Sequence, residues 1–168
     1  MKEQVEKPDF EGLSFTEIRE IDAEISHYEN KTAVSIEALK IVQKHRRWIS
    51  DECLVAVAEL LEISPAQLEA VATFYNLIYR RPVGKTVIHC CDSVTCWMMG
   101  GDRIRENLCR QLNVELGEMS EDGEYTVLPS ACLGACDHAP VVMVGDELKF
   151  DLSENAVNEI LGRVERRG

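Results

Sequence analysis

The chain is 168 residues long, 45% apolar and 29% charged, the proportions of an ordinary soluble globular protein of one domain or two small ones, and they exclude disorder and collagen-like repeats. Eighteen basic against thirty acidic side chains leave a net charge of −12, which argues against nucleic acid and against anionic lipid as partners. No apolar run reaches the roughly 18 residues of a spanning helix, so direct membrane insertion is not expected; Met1 to Gly12, charged and without an apolar block, reads as neither secretory signal nor transit peptide, which points to the cytoplasm.

Residues 1–13 read as a flexible N-terminal segment. Ser14-Phe15-Thr16-Glu17 then makes a capping-box pattern that leads into Ile18, Ile21 and Ile25 at helical spacing, a helix ending near His27. A second helix is expected from about Thr32 or Ser35 through Ile36, Leu39, Ile41 and Val42 to Arg47. A third follows Ser50-Asp51-Glu52, with Leu54, Val57, Ala58 and Leu61 on one stripe. Ser64-Pro65-Ala66-Gln67 supplies a cap, a first-turn proline and a box glutamine for a fourth, whose apolar positions are Leu68, Val71, Phe74 and Tyr75. These four make a small helical bundle over residues 14–81.

Arg80-Arg81-Pro82-Val83-Gly84 breaks the pattern, and a second domain is expected over residues 82–168. Thr86 to Cys90 reads as a buried strand, followed by a helix with Ile104, Leu108, Cys109 and Leu112 on one face and a strand from Tyr125 to Leu128. Val141 to Val144 turns through Gly145-Asp146 into Leu148 to Phe150, and a last helix runs from a Ser153 cap through Ala156, Val157, Ile160, Leu161 and Val164. Strand, helix, strand, hairpin, helix resembles a shortened thioredoxin topology, so the fold class of the whole chain is α+β.

Seven cysteines, an odd number with no export signal, fit a disulfide framework poorly and point to metal. Cys91 and Cys96 form one pair and Cys132 and Cys136 another, each directly after a predicted strand, so two loops at one sheet edge can bring four thiolates together. Three readings fit the spacing: a [2Fe–2S] cluster, a structural zinc ion and a redox disulfide. The longer loops favour the two-iron rhomb over zinc's tight knuckles. Gly134 allows backbone angles that turn amides towards sulfur, and Leu133, Val94 and Met143 are candidates to keep water away. A dianionic cluster in so acidic a chain predicts a low potential. Cys53 and Cys109 read as buried hydrophobes, and Cys90, neighbouring Cys91 on a strand, points to the other face of the sheet.

Tyr125-Thr126, then Cys132-Leu133-Gly134-Ala135-Cys136-Asp137-His138-Ala139-Pro140, resembles the signature of the small [2Fe–2S] subunit of respiratory complex I, the family of NADH-quinone oxidoreductase E subunits. Cys91-Asp92-Ser93-Val94-Thr95-Cys96 with Gly100 looks like that family's first cysteine loop, and Glu69 to Tyr75 and Ala38 to Gln43 look like its helical motifs, a likeness covering residues 14–165. Departures are Tyr125 where Phe is usual, Arg47 before Trp48 and Ala70 where Gly is common, and Trp97 where His is often found. The resemblance implies a helical bundle followed by a thioredoxin-like [2Fe–2S] ferredoxin domain. It further implies one cluster on Cys91, Cys96, Cys132 and Cys136, and docking among peripheral-arm subunits onto the flavoprotein that binds FMN and NADH, on the cytoplasmic face of the inner membrane.

No complete active site is expected in this chain: it has no G-x-G-x-x-G after a strand and no Walker loop, and Gly100-Gly101 is too little to count. His27, His45, His89 and His138 are scattered and read as surface or core groups rather than general bases. The resemblance therefore implies an electron-carrier subunit of a proton-translocating NADH dehydrogenase. Homologous assemblies, an NAD-reducing hydrogenase or an NAD-dependent formate dehydrogenase, are the alternative. So is a zinc-stabilised module that docks partners through Lys44-His45-Arg46-Arg47 and Arg80-Arg81.

Overall fold

The structure is a computed structural model that describes residues 12–153 and 156–161. Most of the expected segment 1–13, and Val164 of the expected last helix, lie outside the described residues. The chain divides into two compact units, Met1–Pro82 and Val83–Gly168.

The first unit is helical. Helix α1 (Phe15–Ile25) begins with both arms of the capping box in place: Ser14 accepts from the Glu17 amide and the Glu17 carboxylate accepts from the Ser14 amide at 2.7 Å. A 3₁₀ turn over Lys31–Val34 precedes α2 (Ser35–Arg46), so of the two expected starts the helix proper takes the later. Helix α3 (Asp51–Leu60) is capped by Ser50, and α4 (Pro65–Phe74) by the Ser64–Gln67 box with proline in its first turn. Ile21, Leu39, Val42, Ile49, Val57, Leu61 and Leu68 meet in the core of this unit.

Helix α4 corrects one expectation. Leu68 and Ala72 are buried, but Phe74 is 76% exposed and Tyr75, already extended, caps the helix end. The two rings pack edge to face, 5.2 Å apart, outside the core. The helix stops at Phe74, so the four-residue rhythm that would have carried Tyr75 inward is broken.

The second unit is a four-stranded sheet in the order β2-β1-β3-β4. Strand β1 (Thr86–Cys91) pairs in parallel with β2 (Tyr125–Ser130) and antiparallel with β3 (Val142–Val144), which turns into β4 (Glu147–Lys149). Between β1 and β2 run a short helix, α5 (Val94–Met98), which the sequence pattern does not announce, and α6 (Gly101–Leu112); α7 (Val157–Ile160) is the last described helix. Period-two alternation splits β1 between two packings: Ile88 and Cys90 lie against Ile104 and Leu108 of α6 and Val157 of α7, whereas Cys91 belongs to a small cluster with Cys96, Ala139 and Val141.

Gly84 lets β2 come close. A Cβ there would stand 2.6 Å from Tyr125 backbone atoms, and the Gly84 amide donates to the Thr126 hydroxyl at 2.9 Å.

Candidate metal centre

Parallel pairing of β1 with β2 sets Cys91 opposite Ser130, so both strands end at one edge of the sheet and both cysteine loops leave from it. The Asp92 amide donates to the Ser130 carbonyl at 3.0 Å and the Cys91 amide to the Val141 carbonyl at 3.3 Å, which ties the first loop to the second strand and to the segment entering β3. Cys96 sits on α5, buried; Cys132 and Cys136 lie on the exposed loop after β2, with their sulfurs 3.4 Å apart.

The thiols influence one another across the loops. Burial, and then hydrogen bonding with Cys91, pushes the Cys96 thiol up to about 11, while the Val141 amide works the other way. Cys132 is held below its ordinary value by the Gly134 amide, which donates to its sulfur at 3.4 Å, and by Cys136; Cys136 is pushed up in turn by Cys132. Gly134 has φ +84°, the left-handed conformation that lets its amide face the sulfur. One thiolate thus forms at the expense of its neighbours, and a full set of four calls for cationic metal.

The donor set fits a [2Fe–2S] cluster. Cys132 and Cys136 stand with their sulfurs 3.4 Å apart, and Cys91 and Cys96 share one small buried cluster. Four thiols delivered as two pairs from two loops suit two irons with two thiolates each.

Ala139 and Val141 are buried beside Cys91 and Cys96, with Leu133 and Ala135 packed against them. Leu133 therefore takes the shielding place expected of it. Val94 does not: it is 65% exposed, on the outer side of α5. Gly101, which makes no nucleotide-binding loop, has a different use. A Cβ on it would stand 2.8 Å from the Cys96 carbonyl oxygen, so its bareness lets α6 start hard against α5.

The remaining cysteines and the histidines have surroundings of their own. Cys90 is buried, and its thiol is pushed up to about 12, chiefly by burial and then by Cys109. Cys109 is half-buried against the α6 face of the sheet, and Cys53 is buried in the helical unit, where Arg46 donates to its sulfur at 2.9 Å. His89 is buried on β1 and His138 lies 3.0 Å from Asp151. The basic spots are largely committed within the chain: Arg46 to Glu17 at 2.6 Å, His45 to Glu20 at 3.1 Å, and Arg80 to Asp51 and Glu69 at 2.6 and 2.7 Å.

A mixed sheet with helices after β1, and four cysteines in two loops at one sheet edge, define a ferredoxin built on a thioredoxin-like frame. The family model for the thioredoxin-like [2Fe–2S] ferredoxin matches residues 21–165, and the chain belongs to that family. It is 44% identical over 151 residues to the E subunit of the NADH-quinone oxidoreductase of Escherichia coli (strain K12), covering 90% of this chain and 91% of that protein. It is likewise 44% identical over 149 residues to the E subunit of the Pseudomonas aeruginosa NADH-quinone oxidoreductase, covering 89% and 90%. Among solved structures, the crystal structure of an air-oxidised NAD⁺-reducing [NiFe]-hydrogenase shares the fold, with a TM-score of 0.63 at 21% identity over 78% of this chain and 23% of that one.

Proposed function

We propose that this chain is the electron-carrying subunit of an NADH-quinone oxidoreductase. It holds one [2Fe–2S] cluster on Cys91, Cys96, Cys132 and Cys136 and exchanges single electrons with the flavin of a partner that binds FMN and NADH. The observation that carries this reading is that parallel β1 and β2 end at one sheet edge, where Cys91 and Cys96 follow one strand and Cys132 and Cys136, with sulfurs 3.4 Å apart, follow the other. Its support is the close likeness, over nine-tenths of the chain, to the E subunits of two such enzymes.

A cluster bound there takes up and returns one electron at a time. The chain's own residues set the surroundings for this. Cys91 and Cys96, with Ala139 and Val141, keep one side dry, and the Gly134 amide donates to the Cys132 sulfur. Cys132 and Cys136 are exposed and leave the other side open to a partner's flavin. Hydride chemistry belongs, on this reading, to the partner.

No described helix is long and apolar enough to cross a membrane, consistent with a place in the peripheral arm, on the cytoplasmic face of the membrane. On the same reading the bundle, residues 14–81, and the ferredoxin part, residues 82–168, are separate domains. The hydrogenase likeness, at 21% identity, speaks for the fold alone.

The test is an EPR spectrum of anaerobically purified protein before and after dithionite, with iron, sulfide and zinc measured on the same sample. A signal that appears only on reduction, with about two irons per chain, is expected. EPR silence with stoichiometric zinc sinks the reading, and the proteins that copurify separate a respiratory complex from a hydrogenase or formate dehydrogenase.

A further inference from the structure

Of the seven cysteines, all of them among the described residues, Cys132 and Cys136 alone are exposed; Cys53, Cys90, Cys91 and Cys96 are buried and Cys109 is half-buried. The exposed two also face each other, with sulfurs 3.4 Å apart. A disulfide bond is about 2.05 Å long, so roughly 1.4 Å of closure separates these thiols from one. The loop has room for that movement. It lies beyond the end of β2, and of its residues only Cys136 has entered a regular element, the 3₁₀ turn Cys136–His138. A Cβ on Gly134, in the middle of the loop, would meet nothing within 4 Å.

The first pair has neither property. Cys91 is the last residue of β1, with its amide bonded to the Val141 carbonyl, and Cys96 lies inside α5, where the Trp97 and Met99 amides bond back to Ser93 and Thr95. Both are buried, with Ala139 and Val141 packed beside them. Thiol–disulfide exchange requires one sulfur to reach another directly, so an oxidant from solution meets the second pair and not the first.

We propose that Cys132 and Cys136 are a reversible thiol–disulfide site of the chain that has not yet received its cluster, with a low-molecular-weight disulfide such as glutathione disulfide as the oxidant, and that the bond so formed bars metal from the loop until a thiol reduces it. One cysteine sulfur attacks the small disulfide, whose S–S bond breaks as a mixed disulfide forms and one small thiol leaves. The other cysteine sulfur then attacks the mixed disulfide at the first cysteine's sulfur, forming the Cys132–Cys136 bond and releasing the second small thiol. Two cysteine thiols give up two electrons and two protons, and the small disulfide takes up both to become two thiols. Metal is bound by thiolate, so oxidation withdraws two of the four proposed ligands at once, and bound metal in turn occupies both sulfurs. The block on metal rests on the four thiols being ligands, as proposed above; the disulfide itself does not.

The test uses the full chain, stripped of iron with a chelator under reducing conditions, freed of reductant anaerobically, treated with glutathione disulfide, quenched in acid, alkylated in denaturant and digested with trypsin. Residues 111–149 form one peptide, with Cys132 and Cys136, and residues 86–103 another, with Cys90, Cys91 and Cys96. The first is expected two hydrogens lighter than its reduced form and without an alkyl group, the second with three alkyl groups, and dithiothreitol before alkylation restores two groups to the first. Cys136→Ser is expected to stop at the mixed disulfide, with one glutathione on Cys132. Cobalt(II), whose thiolate charge-transfer absorption reports cysteine ligation, is expected to bind the reduced chain, to lose that absorption with the oxidised chain and to regain it after dithiothreitol. A first peptide that keeps both alkyl groups, or a disulfide found in the second instead, overturns the inference and leaves the electron-carrier reading standing. Cobalt absorption equal in the oxidised and reduced chains overturns the block on metal. A reduced chain without that absorption takes down the ligand set, and the block with it, whatever the peptide masses.

Discussion

Cys96 and Cys132 carry the same functional group in opposite surroundings, one buried on a helix and the other exposed beside an amide donor. Deprotonation is easier at the second than at the first; on the proposed ligand set, iron drives the last thiols to thiolate, and loss of any one ligand leaves an iron under-coordinated. Cys132→Ala and Cys136→Ala are therefore expected to purify with iron and sulfide far below wild type. Cys109→Ala keeps the full content and loses about 1 kcal/mol of packing, read as a shift in urea midpoint.

In the helical unit the decisive pair is Glu17 with Arg46. Glu17 is 1% exposed; burial pushes its carboxyl up, but hydrogen bonds from Arg46 and from Ser14 outweigh this and hold it below the ordinary 4.5. A carboxyl depressed on folding adds stability above its unfolded value, and that stability is lost as pH falls through the folded value. Wild type is thus expected to lose stability below about pH 4.5, towards the lowered value. Glu17→Gln flattens that part of the profile in urea melts taken against pH. Arg46→Ala, which leaves the buried carboxylate unpaired, is expected to cost about 3 kcal/mol near neutral pH.

At the scale of elements, two glycines set how closely neighbours approach. Gly84 admits β2, and Gly101 seats α6 against the α5 segment that bears Cys96. In both places the atom that a Cβ would meet is backbone, which cannot swing aside. Gly84→Ala is expected to cost about 2–3 kcal/mol in thermal or urea unfolding. Gly101→Ala pushes on the Cys96 carbonyl and is expected to lower iron retention as well as stability, whereas Gly117→Ala, which is strained by a φ of +86° but meets nothing within 4 Å, is expected to cost stability and leave iron content at wild type.

At the scale of the whole molecule, each unit has its own core and its own tryptophan, Trp48 in the first and Trp97 in the second. Two separately folding domains unfold at separate midpoints, and a cofactor bound to one stabilises that one alone. Fluorescence of Trp97→Phe and Trp48→Phe variants is expected to give two distinct urea transitions. Removing iron with a chelator should lower the transition reported by Trp97 and leave that reported by Trp48 in place. Coincident transitions that move together would mean one cooperative unit.

The capping boxes at Ser14 and Ser64, the strand at Thr86, the break at Arg80 to Gly84 and the two cysteine pairs all stand in the sequence, because capping, periodicity and ligand spacing are properties of residues close in the chain. So does the opposite orientation of Cys90 and Cys91, which follows from the two-residue period of a strand. What lies on the outside of an element was less legible: Phe74 keeps helical spacing yet faces solvent, and Val94 lies between two ligand-spaced cysteines yet turns outward. Helix α5, five residues long, is too short to leave a periodic signal. Only the tertiary structure could show that Gly101 abuts Cys96 and that Ala139 and Val141 pack beside Cys91 and Cys96, since each contact joins segments whose approach depends on strand register and helix seating.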